Sequence, residues 1–320
     1  MIRFPASRVA VGIAAAALAV LAAGAAVAAH GGGKAPRRTN PRTGRLAPAM
    51  AELVKASKRG DRAALGRVAD RLGPARLRDA IANPDPAVAE AALGAVPLAR
   101  GGVLLVAAVA AELGAADGAR AAAAAAALGL LLDGASPTEL EDWDVPPDAV
   151  AQACGGLKAL AFWTAAAPAA RLAALDAIAA AAPTCGPAGD LGPLAHDPAP
   201  AIRRAAVVVA AVGEHRKALL RDALGDADRG VTATTAAVAC RVEARTDRAG
   251  KVEPPDAAAL AAARTLAGAA GTPPEDAVEM LDCPAAAHQP ADRALLEELQ
   301  RRPPSPLRDR AVELGGGTGR

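Results

Sequence analysis

Apolar positions along this chain gather into helix-length runs, interrupted by short clusters of Gly, Pro, Asp and Asn. Nowhere do Val, Ile and Thr alternate with polar residues over the length of a strand, so the pattern predicts helices and no sheet. The breakers place an opening hairpin at 46–58 and 62–72 and a second pair at 75–82 with 85–96. Further pairs fall at 102–113 with 117–132, 148–163 with 169–181, and 191–195 with 200–212. The last three are 216–224 with 230–244, 255–270 with 275–281, and 292–301 with 307–314. The longest internal apolar run, 121–132, is too short to cross a bilayer and follows Glu112, Asp117 and Arg120, so it reads as a buried helix. Composition sharpens this picture. Hydrophobic residues reach 52% while aromatics are only 1%, and Ala, the best helix former, carries most of the apolar count. Ala on both sides of a contact lets helix axes approach closely.

The turns between helices share a pattern. In His196-Asp197-Pro198-Ala199-Pro200-Ala201-Ile202-Arg203 an Asp that can cap is followed by Pro, an apolar residue at plus five and Arg at plus six. Asn83 with Val88 and Ala89 repeats it, as does Asp226 with Val231 and Thr232. Gly114 with Arg120, Ala165 with Arg171, and Arg302-Pro303 with Leu307-Arg308 keep the second half, and Pro273-Pro274 with Val278 is a weaker copy. The anchors at 83, 114, 165, 197, 226, 273 and 302 are spaced by 31, 51, 32, 29, 47 and 29 residues. A step of about 30 residues is one helical hairpin, which makes the chain an all-α solenoid of about seven or eight hairpins, with insertions at the two long steps.

The joint Asp-Pro-x-x-x-[Val/Ile]-Arg, complete at Asp197, Pro198, Ile202 and Arg203, resembles that of HEAT repeats in their short bacterial form, over roughly residues 46–314. The resemblance implies a ladder of Asp and Arg between neighbouring units and a concave, protein-binding face lined by the second helices. Only Asp197 with Arg203 keeps both members; Asn83 with Ala89 and Asp226 with Thr232 depart from the family pattern. The solenoid is expected over 49–314, with a Gly-rich tail at 315–320.

Ahead of it, residues 1–28 read as an export signal: Arg3 and Arg8, an apolar stretch from Val9 to Ala23, then Ala26-Val27-Ala28 at signal-peptidase spacing. The alternative is an uncleaved anchor over 9–29. Residues 29–48, rich in Gly, Pro, Arg and Thr, read as a flexible tether. Residues 29–62 carry a net charge of +7 and residues 63–320 a net charge of −7. The basic stretch 34–62 is read either as an adhesive for an anionic surface or as a solvated linker. No aromatic residues interleave its charges, so no specific nucleic acid is expected as a partner.

Four cysteines in an exported chain imply two disulfides. Hairpin phasing puts Cys154 and Cys185 at one end of the same hairpin, and Cys240 and Cys283 at the ends of successive second helices. The expected pairs are therefore Cys154–Cys185 and Cys240–Cys283, the rival being four thiols in a cytosolic protein. The main insertion, 133–147, carries the N-cap signature Ser136-Pro137-Thr138-Glu139 and then the acidic run Glu141-Asp142-Trp143-Asp144. Trp143 is either a recognition residue or a lid packed on Phe162 and Trp163. Arg171 and Arg204, at the starts of second helices, are the other candidates for recognition.

Catalytic signatures are absent from the sequence: no nucleophile elbow, zincin, phosphate-loop or dinucleotide motif occurs. His196, His215 and His288 lie at turns or among charged residues, and no cysteine or histidine spacing suits zinc. No catalytic residue, metal or cofactor is therefore assigned. The reading is a periplasmic or secreted, non-enzymatic scaffold that binds a protein partner on its concave face. Two alternatives stand beside it. One is a lyase or lyase subunit, since phycobilin lyases also use short HEAT-like repeats; the other is a cytosolic or membrane-anchored scaffold.

Overall fold

The computed structural model describes residues 48–211, 216–246 and 250–316. The export signal or anchor, the tether up to residue 47, His215, and the tail from residue 317 lie outside the described residues. The protein is all-α. No strand occurs among the described residues, only an isolated bridge between Thr246 and Val252. The chain divides into two compact units, the first ending at Gly186 and the second beginning at Pro187, where the sequence reading expects one continuous body. The division falls in Gly186-Pro187-Ala188-Gly189-Asp190, a helix-free stretch in which both glycines take positive φ (+65° and +89°).

The first unit contains α1 (Pro48–Lys58), α2 (Arg62–Ile81), α3 (Pro86–Ala95), α4 (Val106–Ala111), α5 (Gly118–Leu132), α6 (Pro137–Asp142), α7 (Pro147–Phe162), α8 (Pro168–Ala180) and α9 (Ala182–Cys185). Helices α2 and α3, α4 and α5, and α7 and α8 form three hairpins, and α3, α5 and α8 make a row of second helices. Among the described residues, α5 and α8 pack together more extensively than any other pair of helices. The contact is close because Gly129 of α5 faces Ala177 of α8, and a Cβ at Gly129 would stand 3.0 Å from the Ala177 Cα. Leu128, Leu132, Leu157 and Leu175 fill the space that Ala leaves.

The helices expected at 62–72 and 75–82 are the two segments of α2, divided at the expected break, where Gly73 leaves helical backbone (φ 70°, ψ 170°) before Pro74. One boundary is corrected here. The helix expected at 102–113 is instead a 3-10 turn at Gly102–Leu105, the short α4, and another 3-10 turn at Glu112–Gly114. The cause is the tight entry into this segment. Gly101 is left-handed (φ 70°), and Gly102 lies so close to the Val96 carbonyl that a side chain would collide with it.

The second unit contains α10 (Gly192–Ala195), α11 (Pro200–Ala210), α12 (Arg216–Ala223), α13 (Arg229–Cys240), α14 (Val242–Arg245), α15 (Ala257–Leu266), α16 (Pro274–Met280), α17 (Asp282–Ala287), α18 (Pro290–Gln300) and α19 (Pro306–Gly316). Here α11, α13, α16 and α19 are the row of second helices. The helix expected at 230–244 ends at Cys240 because Arg241 turns to extended backbone (ψ 140°). Cys185 and Cys283, expected just past helix ends, lie in the one-turn α9 and in α17. The core of this unit is built from Ala233, Ala237, Ala263, Met280, Leu281 and Leu299 around Cys240 and Cys283.

Candidate functional site

The repeated joint keeps its geometry where the sequence departs from the motif. At position zero, the side chain accepts from the backbone N–H two residues on: Asn83 Oδ1 from Asp85 at 2.9 Å, Asp197 Oδ1 from Ala199 at 2.9 Å, and Asp226 Oδ1 from Asp228 at 2.7 Å. Asn serves as well as Asp because only an acceptor oxygen is needed. At plus five, Val88, Ile202 and Val231 are fully buried. At plus six, the side chain donates to the carbonyl of position zero in two of these joints, Ala89 having no donor in the third. Arg203 Nη1 reaches Asp197 O at 2.8 Å and also Pro198 O at 3.3 Å, while Thr232 Oγ1 reaches Asp226 O at 3.1 Å. Thr therefore replaces Arg with the same bond. Arg120 works across hairpins, donating to Ile81 O at 2.6 Å and Asn83 O at 3.2 Å in the preceding turn. Arg308 donates to Gln300 O at the end of its own first helix. These arginines supply charge and donors to helix-terminal carbonyls that lack intrahelical partners.

The resemblance implied a ladder of Asp and Arg between neighbouring units, and Arg203 forms one such rung: it meets Asp197 of its own motif through the backbone carbonyl and takes Asp226 of the next joint as bidentate carboxylate partner, at 2.7 and 2.8 Å. Replacing Asp197 with Ala thus removes a buried turn acceptor and leaves the Arg203–Asp226 pair in place. The expected loss is at least about 0.5 to 2 kcal/mol in urea unfolding; stability equal to that of the wild type would contradict a structural role for this turn.

Arg171 is also corrected as a recognition residue. It is 5% exposed, and its Nε donates to Ala161 O at 3.0 Å at the end of α7. Arg204 is half-buried, with its guanidinium beside Gly230. The cysteines form two disulfides, Cys154–Cys185 and Cys240–Cys283.

Three acidic residues that the sequence reading passed over mark the second-helix rows. Asp276 of α16 is buried, accepts from Thr234 Oγ1 of α13 at 2.8 Å, and is raised above the ordinary carboxylate range chiefly by burial. Glu90 of α3 is raised by burial and by the nearby charge of Asp117. Asp176 of α8, half-buried, is pushed up by burial to about 6. The available signal was a lone acid inside an Ala/Leu run, as in Leu172-Ala173-Ala174-Leu175-Asp176-Ala177. A carboxyl whose pKa is raised on folding favours the native state when protonated, so its contribution is full at acid pH and is lost as pH rises through about 6. Asp176→Asn is expected to remove that dependence and to stabilise the protein at pH 7.5 by about 1 to 2 kcal/mol. Thermal melts from pH 4.5 to 7.5 check this; parallel curves for the two proteins would contradict it.

The insertion forms α6, closed by a capping box in which Ser136 Oγ accepts from Glu139 N at 3.2 Å and Glu139 Oε2 accepts from Ser136 N at 2.8 Å. It is tied back to the α7–α8 hairpin by the Thr184 hydroxyl, which donates to Ala135 O, and by Gly134 N to Ala180 O at 3.5 Å. Trp143 and Trp163 are 49% and 52% exposed, so Trp143 is not a buried lid. Beside it, Asp144 has a left-handed backbone (φ 57°), a conformation Asp tolerates better than most residues. Among the described residues no group of His, Cys, Asp and Glu could hold a metal ion.

No protein-family model matches the chain, and no curated protein matches it. Among solved structures the chain is similar to two crystal structures of engineered proteins from the Northeast Structural Genomics Consortium. One is 17% identical with a TM-score of 0.46, covering 84% of this chain and 78% of the other. The second is 17% identical with a TM-score of 0.32, covering 85% and 96%.

Proposed function

We propose that this chain is an exported HEAT-like repeat protein that acts as a non-enzymatic, protein-binding scaffold in the cell envelope. The carrying observation is the row of second helices α3, α5 and α8. It leaves Leu130 of α5 53% exposed and holds two carboxyls, Glu90 and Asp176, partly buried at a cost to stability. An exposed leucine and half-desolvated charges on one row of helices support a binding face, since stacked hairpins use such rows to bind extended partners. The joint geometry supports the HEAT-like reading, and two disulfides fit an oxidising compartment. Among the described residues no helix is long and apolar enough to cross a membrane.

The test is chemical cross-linking of the tagged chain in its native host, followed by purification from the envelope fraction, with Leu130→Arg/Asp176→Arg in parallel. A discrete protein joined to the wild type and lost from an equally folded variant is the expected result. Recovery only from the cytosolic fraction, or a cross-linking pattern that the variant leaves unchanged, overturns the proposal.

A further inference from the structure

Between the insertion and α7 lies a cavity of about 290 Å³. Its wall is apolar: Leu140, Val145, Val150 and Ala151, with the Cys154–Cys185 disulfide at one side. That volume sits at the lower end of ligand pockets and suits a single apolar side chain. The rim has the opposite character. Glu141 belongs to the lining, and Asp142, Asp144 and Asp148 are chain neighbours of the lining residues Glu141, Val145 and Pro147, all exposed and, among the described residues, with no ion-pair partner. From residue 121 to residue 157 the chain holds six acidic residues and no Lys or Arg. The insertion side of the opening is therefore acidic, while Lys158, one residue further on, reaches Cys185 O at 3.5 Å on the disulfide side of the wall. Trp143, between Asp142 and Asp144, adds an exposed indole face, which attracts a cation held over it.

We infer that this cavity is a docking site for a basic peptide segment of a partner protein: one aliphatic side chain enters the pocket while flanking Lys or Arg residues meet Glu141, Asp142, Asp144 and the face of Trp143. Charge complementarity selects this occupant. An acidic or phosphorylated segment would bring like charge to the rim, and an uncharged one would leave the carboxylates without a counterpart. The inference rests on the protein-binding reading above but places the contact on the insertion rather than on the second-helix row.

The test uses the full chain carrying Trp163→Phe, so that Trp143 is the sole tryptophan and reports on the site. The probe is the end-blocked peptide Lys-Arg-Leu-Arg-Lys, compared with a copy bearing Gly for Leu and with Glu-Glu-Leu-Glu-Glu. A saturable change in fluorescence with the first peptide is expected, at least about tenfold weaker with Gly for Leu, absent with the acidic peptide, and weakened by salt. Ala151→Leu, at an exposed position on the wall, projects into the pocket and is expected to weaken binding at least about tenfold with an unchanged circular dichroism spectrum. Glu141→Gln/Asp142→Asn/Asp144→Asn should weaken it by about tenfold. No saturable change with the basic peptide, equal response to the acidic one, or full binding by Ala151→Leu overturns the inference. If a peptide of residues 34–48 of this chain competes as strongly as the probe, the occupant is the chain's own basic segment and the foreign partner is overturned. Retention of the cross-linked envelope protein by Ala151→Leu would show that the docking site fails while the scaffold reading stands.

Discussion

Replacing Asp226 with Ala is expected to destabilise the second unit by about 2 to 4 kcal/mol, because one carboxylate serves two structures at once. It accepts from Arg203 Nε and Nη2, which belong to the preceding second helix, and from the N–H of Asp228, which shapes its own turn. The Arg203 and Asp226 side chains are only 16% and 11% exposed, so the guanidinium left behind would be poorly hydrated. Arg203 holds the Asp226 carboxyl below its ordinary range, chiefly through the hydrogen bonds between them. A carboxyl lowered on folding contributes stability above its unfolded pKa and loses it as pH falls through the native value. The difference between wild type and Asp226→Ala should therefore shrink in acid, opposite in direction to the effect of Asp176. Urea unfolding of Asp226→Ala, Arg203→Ala and the double variant would show strong coupling between the two sites. Additive losses would mean that the rung between joints carries no energy.

Loss of both disulfides is expected to have the largest effect, about 3 to 4 kcal/mol for each in the chain-entropy model, since they close separations of 31 and 43 residues. Their environments order the loss. Cys240 and Cys283 are fully buried in the core of the second unit, whereas Cys185 is only half-buried and its bond with Cys154 borders the cavity beside the insertion. Mild reductant without denaturant should open Cys154–Cys185 first, with Cys240–Cys283 following only on unfolding. Timed alkylation with mass spectrometry follows both bonds. Simultaneous reduction, or earlier opening of Cys240–Cys283, would contradict the burial argument.

Much of this architecture is written in local patterns. Apolar runs and Gly/Pro breaks locate most of the helices, and the pairing of cysteines read from hairpin phasing is the pairing in the structure. The joint is legible at Asp197, but its apparent erosion at Asn83 and Thr232 is not. A motif records residue types, while the turn requires only an acceptor at position zero and a donor to its carbonyl, which Thr232 supplies from six residues on and Arg120 supplies to Asn83 from the next hairpin. Which carboxylate forms the rung with Arg203 is not legible either: Asp197 is near in sequence, and Asp226 becomes near only when hairpins stack. Arg171 looked like a surface residue because charge usually means exposure, yet a helix-terminal carbonyl accepts its Nε–H inside the unit. The break at Gly73-Pro74 is legible as a Gly-Pro pair, whereas the broken helix around α4 depends on the close approach of Gly102 to the Val96 carbonyl, which composition does not encode. Asp176 was passed over because a lone acid in an Ala-rich helix carries no motif.

Export to an oxidising compartment and stacking in this register are tested together by one measurement, peptide mapping without reduction on protein purified from its native host. The account predicts no free thiol and two linked pairs, Cys154 with Cys185 and Cys240 with Cys283. Four free thiols, or a link from Cys154 to Cys240 or Cys283, would contradict it.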